Sequence, residues 1–221
     1  MNDMSNITTP TTSLFPQKHA LAIRIWHWVT FSLFTATIVM VLLANTLFDT
    51  KANIGMVQDQ VKEKGGFVTA EQAKNVAHEY RDKLWETHKI IGFFLCFALL
   101  SRVVIEIAIS KEEKLFNRIK YAAGIARKNR GLNTDAKHYL TVKYTYLIFY
   151  ILFFLMATTG LVLAFEDSEF LKPVHHTAEV IHSFLQYAIY GYIVFHLIGV
   201  VRADVTEYPG IISRMVNKGK V

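Results

Sequence analysis

The stretch VIHSFLQYAIYGYIVFHLIGVV, Val180–Val201, decides the architecture. It is almost wholly apolar and long enough to cross a bilayer, which takes about 20 residues. Two histidines interrupt it, His182 and His196. An imidazole left without a partner in hydrocarbon is costly, so a membrane span that keeps two must give them work. Fourteen helical residues make about 3.9 turns, which puts both rings on nearly one face, roughly 21 Å apart along the axis. No single metal ion bridges that distance. Two separate centres at two depths can.

Working outward, the same apolar character recurs. The chain has 221 residues, of which 52% are hydrophobic, and its mean hydropathy is +0.26. The apolar residues gather into four runs, about Ile23–Leu47, Thr87–Ile109, Tyr144–Phe165 and Ala178–Val201. The expected fold is therefore all-α, an integral membrane four-helix bundle forming one domain over residues 18–221. Residues 1–17 are polar and rich in Ser, Thr and Asn, and read as a disordered leader. The run that follows exceeds the apolar core of about 7–15 residues of a cleavable signal, so it reads as the first span. The lone Cys96 cannot form an intrachain disulfide, and it excludes a Cys-x-x-Cys-His attachment for haem.

Net charge is +6 and the isoelectric point is near 9.3, but the distribution argues against nucleic acid. From Ser110 to Lys143 there are nine Lys/Arg against three acids, and the tail adds Arg202, Arg214, Lys218 and Lys220. The loop FEDSEFLKP before the fourth span is acidic instead. This is the positive-inside pattern. It predicts cytoplasmic termini and a cytoplasmic middle loop, with the first and third loops facing the periplasm of a bacterial inner membrane. Membrane lipid is then the partner of the basic segments.

The first outer loop, about residues 48–86, is the only sizeable element on that side. Thr69 followed by Gln72 predicts a capping box, and Ala73, Val76, Ala77, Tyr80 and Leu84 keep helical spacing. That helix is expected to continue into the second span, either as a docking surface or lying on the bilayer. The inner loop EEKLFNRIKYAAGIARKNRGLN, residues 112–133, resembles an interfacial basic amphipathic helix. Pro173 suits the first turn of the fourth span. Trp26, Trp28 and Trp85 read as interfacial belts.

Each centre on the fourth span needs a second ligand from another helix at matching depth. Only two further histidines lie in or at the edge of spans. His27 opens the first span on the inner side, the depth of His196; His88 opens the second on the outer side, the depth of His182. The chain so supplies two imidazole pairs, which is how b-type haem is held between facing helices of a bundle. His175, seven residues before His182, shares its face and competes for the outer position. Gly92 and Gly199 leave room for a flat macrocycle. Arg102 lies fourteen residues after His88, at inner depth, where a guanidinium suits a haem propionate; an ion pair with Glu106 or snorkelling are its other readings. Arg24 reads mainly as a positive-inside anchor. Glu106, Glu166, Asp167, Glu179 and Asp204 are candidate proton relays. His19, His78 and His138 read as solvated loop residues.

With those residues in view, the chain resembles the bacterial cytochrome b561 and nickel–iron hydrogenase cytochrome b-subunit family. RIWHW around His27, WETHKIIGFFLCFALLSR from Trp85 to Arg102, the H-x13-H of the last span and the tail VRADVTEYPGIISRMVNKGK carry the likeness, over about residues 18–218. The resemblance implies a four-helix cytochrome with two haem b groups, His27 and His196 holding the inner one, His88 and His182 the outer. It also implies electron transfer between a periplasmic redox protein or hydrogenase subunits and the membrane quinone pool. A stand-alone oxidoreductase acting on a small substrate such as superoxide, with quinone, is the alternative; a non-haem transporter or anchor using the histidines as proton or metal groups is a third. A second copy of the chain stands as a candidate partner. The long first outer loop departs from the simpler members of the family.

Overall fold

The structure, a computed structural model, describes residues 21–109, 111, 114–128, 134–206 and 209–217. The 1–17 segment and His19 lie outside the described residues. In chain order the helices are α1 (Leu21–Asn45), α2 (Thr50–Glu63), α3 (Ala70–Ala108), α4 (Leu115–Lys128), α5 (Thr134–Ala164), α6 (Lys172–Val205) and α7 (Ile211–Asn217). Among the described residues there is no strand. Four of the helices, α1, α3, α5 and α6, are long and apolar enough to span a membrane. The protein is a multi-pass membrane helical bundle.

Helix α1 packs on α3 and α5 on α6, with α3 touching α5 between the two pairs. Little of this bundle is buried by protein. Val41, Ala44, Leu95, Ala98, Phe153, Leu185 and Ile189 form a thin core, while Phe94, Phe97, Leu100, Phe154, Phe184 and Phe195 point outward. A helix apolar on every side needs an apolar solvent, and here that solvent is lipid.

Helix α3 has 39 residues, about 58 Å at 1.5 Å per residue, nearly twice the roughly 30 Å of bilayer hydrocarbon. Its first half therefore projects from the membrane in line with the span and does not lie flat on the bilayer. The predicted capping box starts it: Thr69 Oγ1 accepts from the Gln72 amide at 3.2 Å and Gln72 Oε1 accepts from the Thr69 amide at 2.9 Å. The expected apolar spacing divides in two. Ala73 and Ala77 are buried, with α2 packed along α3, whereas Val76 and Tyr80 face outward.

Helix α2 was not foreseen in the sequence. Asp49 caps it, accepting from the Ala52 amide at 3.0 Å. Gly65, at φ 79°, reverses the chain, and the Gly66 amide returns to the Val61 carbonyl at 3.0 Å. The result is an antiparallel helical hairpin outside the span. At the opposite end, α4 lies under α5, with Ala122 and Tyr139 buried there. Pro173 occupies the first turn of α6 as expected. His78 and His138 lie on helices α3 and α5, not in loops, and both are exposed.

Candidate functional site

Helix α6 carries His182 and His196 without a break between them. His196 faces His27 on α1, with ring centroids 6.3 Å apart and planes at 70°. His182 faces His88 on α3, with centroids 6.4 Å apart and planes at 79°. The outer imidazole that meets His88 is thus His182; His175, partly exposed a turn and more away, is not brought to it. Two imidazoles on opposite sides of one metal ion, with bonds of about 2.0 Å and ring nitrogens about 1.1 Å from their centroids, have centroids about 6.2 Å apart. Both observed spacings fit that arrangement. Among the described residues no three His, Cys, Asp or Glu side chains converge to enclose a metal ion. Two opposed imidazoles suit a metal whose remaining ligands come from a macrocycle.

The two sites are separate. Ile189, 2% exposed, lies seven residues from each histidine of α6 and so on the same face. Together with Phe153, 1% exposed, it fills the middle of the bundle. Phe34 and Phe149 pack against Phe153 at 5.0 and 5.7 Å. A Cβ placed on Gly92 or on Gly199 would meet nothing within 4 Å, so both glycines face open space.

Aromatic rings press on the histidines. Tyr192 stacks on His196 at 6.0 Å with planes 6° apart. Trp85 meets His88 edge-on at 5.4 Å and Trp28 meets His27 at 5.5 Å. The tryptophans, expected as belts, are therefore also walls of the sites. Trp26 ties α1 to α3 by donating to the Ala98 carbonyl at 2.6 Å.

Helix α5 carries no histidine in its span and so no candidate ligand. Two of its residues nevertheless meet His182. Thr159 Oγ1 lies 3.0 Å from His182 Nδ1. A Cβ built on Gly160 would sit 3.1 Å from His182 Cε1, so any other residue there would make the ring give by a few tenths of an ångström. The signal was the small-residue run Thr158-Thr159-Gly160 inside an aromatic and aliphatic span, a common mark of close helix approach in membranes. His88 differs: its Nδ1 is buried and has no hydrogen-bond partner among the described residues.

Arg102 Nε donates to the Tyr150 hydroxyl at 2.9 Å. Its Nη2 lies 2.8 Å from Glu106 Oε2, an ion pair by distance without hydrogen-bond alignment. The guanidinium also lies over the rings of Trp26 and Tyr150, at 5.9 and 5.5 Å. Its Nη1 is buried and has no hydrogen-bond partner among the described residues, which leaves one donor for an incoming anion. Glu106 Oε1 accepts from the Leu115 amide at 2.6 Å, at the start of α4. Arg24, expected as a positive-inside anchor, is instead 8% exposed and donates to the Met215 carbonyl at 3.1 Å and to the Val216 carbonyl. Of the other candidate relays, Asp204 accepts from the Ile212 amide at 3.2 Å, Glu166 lies 3.6 Å from Lys89 and Glu179 lies 3.8 Å from His176.

A membrane-spanning helical bundle with an opposed imidazole pair at each of two depths is a protein shaped to take flat metal-bearing cofactors between its helices. The prokaryotic cytochrome b561 family matches residues 18–218, and the chain belongs to that family. It is accordingly a membrane b-type cytochrome of electron transfer, and its cofactor class is b-type haem. No curated protein and no solved structure matches the chain.

Proposed function

We propose that this cytochrome binds two haem b groups, one between His27 and His196 toward the cytoplasm and one between His88 and His182 toward the periplasm. It carries electrons between a periplasmic redox protein, of the hydrogenase type, and the quinone pool of the bacterial inner membrane. The observation that carries this reading is the pair of imidazole spacings, 6.3 and 6.4 Å, on one continuous helix. Bound there, haem supplies reversible one-electron chemistry.

The chain's own residues do the rest. Neutral imidazoles offer lone pairs and, once ligated, are no longer unsatisfied in hydrocarbon. Phe153 and Ile189 keep the sites apart and exclude water between them. The buried Arg102 Nη1, with no hydrogen-bond partner among the described residues, supports a role in holding a propionate. The basic face of α4 and of the tail favours the cytoplasmic side by the positive-inside rule. On the other side the α2–α3 hairpin offers a protein surface beyond the lipid, where a partner can dock.

The test is a reduced-minus-oxidised absorption spectrum with haem quantitation on the parent, His88→Ala and His196→Ala. Each substitution is expected to remove a different one of two spectrally separable haems, halving the haem per chain. Colour untouched by both changes would defeat the assignment. Quinone reduction by the purified chain with superoxide as the electron donor and no partner protein present would select the stand-alone oxidoreductase instead.

A further inference from the structure

We infer that Thr159, seated beside Gly160 on α5, is a positioning residue that fixes the proton of His182 on Nδ1 and aims its Nε2 at the outer metal, so setting the reduction potential of that haem alone. The inference rests on the two-haem reading above.

A threonine hydroxyl has one proton. That of Thr159 points to its own helix: Oγ1 lies 2.8 Å from the Leu155 carbonyl and 3.1 Å from the Met156 carbonyl. Both carbonyls are acceptors only, so the hydroxyl donates to them and its remaining lone pairs face His182 Nδ1 at 3.0 Å. Were Nδ1 bare, the hydroxyl would have to leave those carbonyls to donate to it, and Nε2 would carry the proton that closes it to a metal. With Nε2 as the ligand on the two-haem reading, Nδ1 carries the proton and donates it to Thr159 Oγ1. Nε2 is left with the lone pair that a metal requires.

Gly160 makes this contact geometrically accessible. With a Cβ there, the ring edge would have to retreat by a few tenths of an ångström. The two neighbours thus act as a seat: glycine admits the ring and threonine orients it. Among the described residues none of the other three imidazoles rests on a glycine in this way, and the Nδ1 of His88 has no hydrogen-bond partner there. The outer haem would then have one oriented, electron-rich ligand opposite a less constrained one. An Nδ1–H donated to oxygen raises imidazole basicity and favours the ferric form, lowering the potential.

The experiment is an optical redox titration of both haems in the full-length chain, for the parent, Thr159→Val, Thr159→Ser and Gly160→Ala. Thr159→Val keeps shape and removes the acceptor. It is expected to raise the ferrous-to-ferric ratio of one haem at fixed potential by up to about tenfold, about 59 mV for a one-electron couple, and to leave the other haem unmoved. Thr159→Ser restores the parental value, and Gly160→Ala, which pushes the ring off the hydroxyl, moves the same haem in the same direction. The haem that moves must be the one lost in His182→Ala. Thr159→Val titrating as the parent, both haems moving together, or Thr159→Ser behaving like Thr159→Val overturns the role of Thr159 while leaving two haems intact. A parent without two haems overturns the underlying reading itself.

Discussion

Arg24 lies at the inner end of α1, 8% exposed, with Nε and Nη2 donating to the carbonyls of Met215 and Val216 at the end of α7. Trp28 joins it, donating to the same Met215 carbonyl at 3.2 Å. A short helix ends in carbonyls that no amide of its own satisfies, and a cation placed there also meets the negative end of the helix dipole. The seven residues of α7 are too few to hold as a helix alone. Arg24→Met is expected to destabilise this local fold by about 1–3 kcal/mol. Hydrogen exchange should report it as faster amides in α7, with the haem spectrum unchanged; equal protection in parent and variant would show that Arg24 is not the tie. Position 24 reads in sequence as one more inside cation. Its partner lies about 190 residues away, with nothing local to announce it.

Helix α3 joins an exposed hairpin to a membrane span without interruption. The Thr69–Gln72 box that begins it was legible because capping is a matter of residues three apart. Thr69→Ala is expected to cost about 1 kcal/mol, seen as faster exchange in the first turn of α3 and as no change at His88, some five turns on. A loss of the outer haem in that variant would mean that the hairpin and the span move as one. Helix α2 was not legible. Its residues, TKANIGMVQDQVKE, are weakly apolar and contain a glycine. What holds it is tertiary: Asp49 at its start, a left-handed Gly65 at its end and the alanine face of α3 beside it. Such a helix has little propensity of its own and exists because it is packed.

At the scale of the whole bundle, protein buries little protein. Lipid is as apolar as leucine, so the spans gain nothing from mere hydrophobicity when they associate. They are held by close contacts such as Phe34 on Phe153, by Trp26 donating to Ala98 and by whatever fills the space between the opposed histidines. A ligand that binds only the folded state stabilises it by mass action, about 4 kcal/mol per site at a thousandfold excess over Kd. Protein produced under haem starvation is therefore expected to unfold several degrees below the haem-replete form in the same detergent, measured by intrinsic tryptophan fluorescence, with Trp28 and Trp85 as reporters beside the sites. Coincident unfolding curves would mean that the bundle closes without its cofactors. The sequence by itself determined the four apolar runs and the depth of each histidine, and so offered the pairs His27–His196 and His88–His182 with His175 as a competitor for the outer position, because rise per residue and the period of 3.6 are properties of a single helix; that His182 is the one facing His88 was decided by the tertiary structure. Only the tertiary structure decided that Thr159 and Gly160 seat His182, that Tyr192 stacks on His196, that Arg24 ends α7 and that α2 exists at all. Those contacts depend on which faces of separate helices meet, and in lipid that choice is made by small residues and hydrogen bonds that leave no periodic trace in the chain.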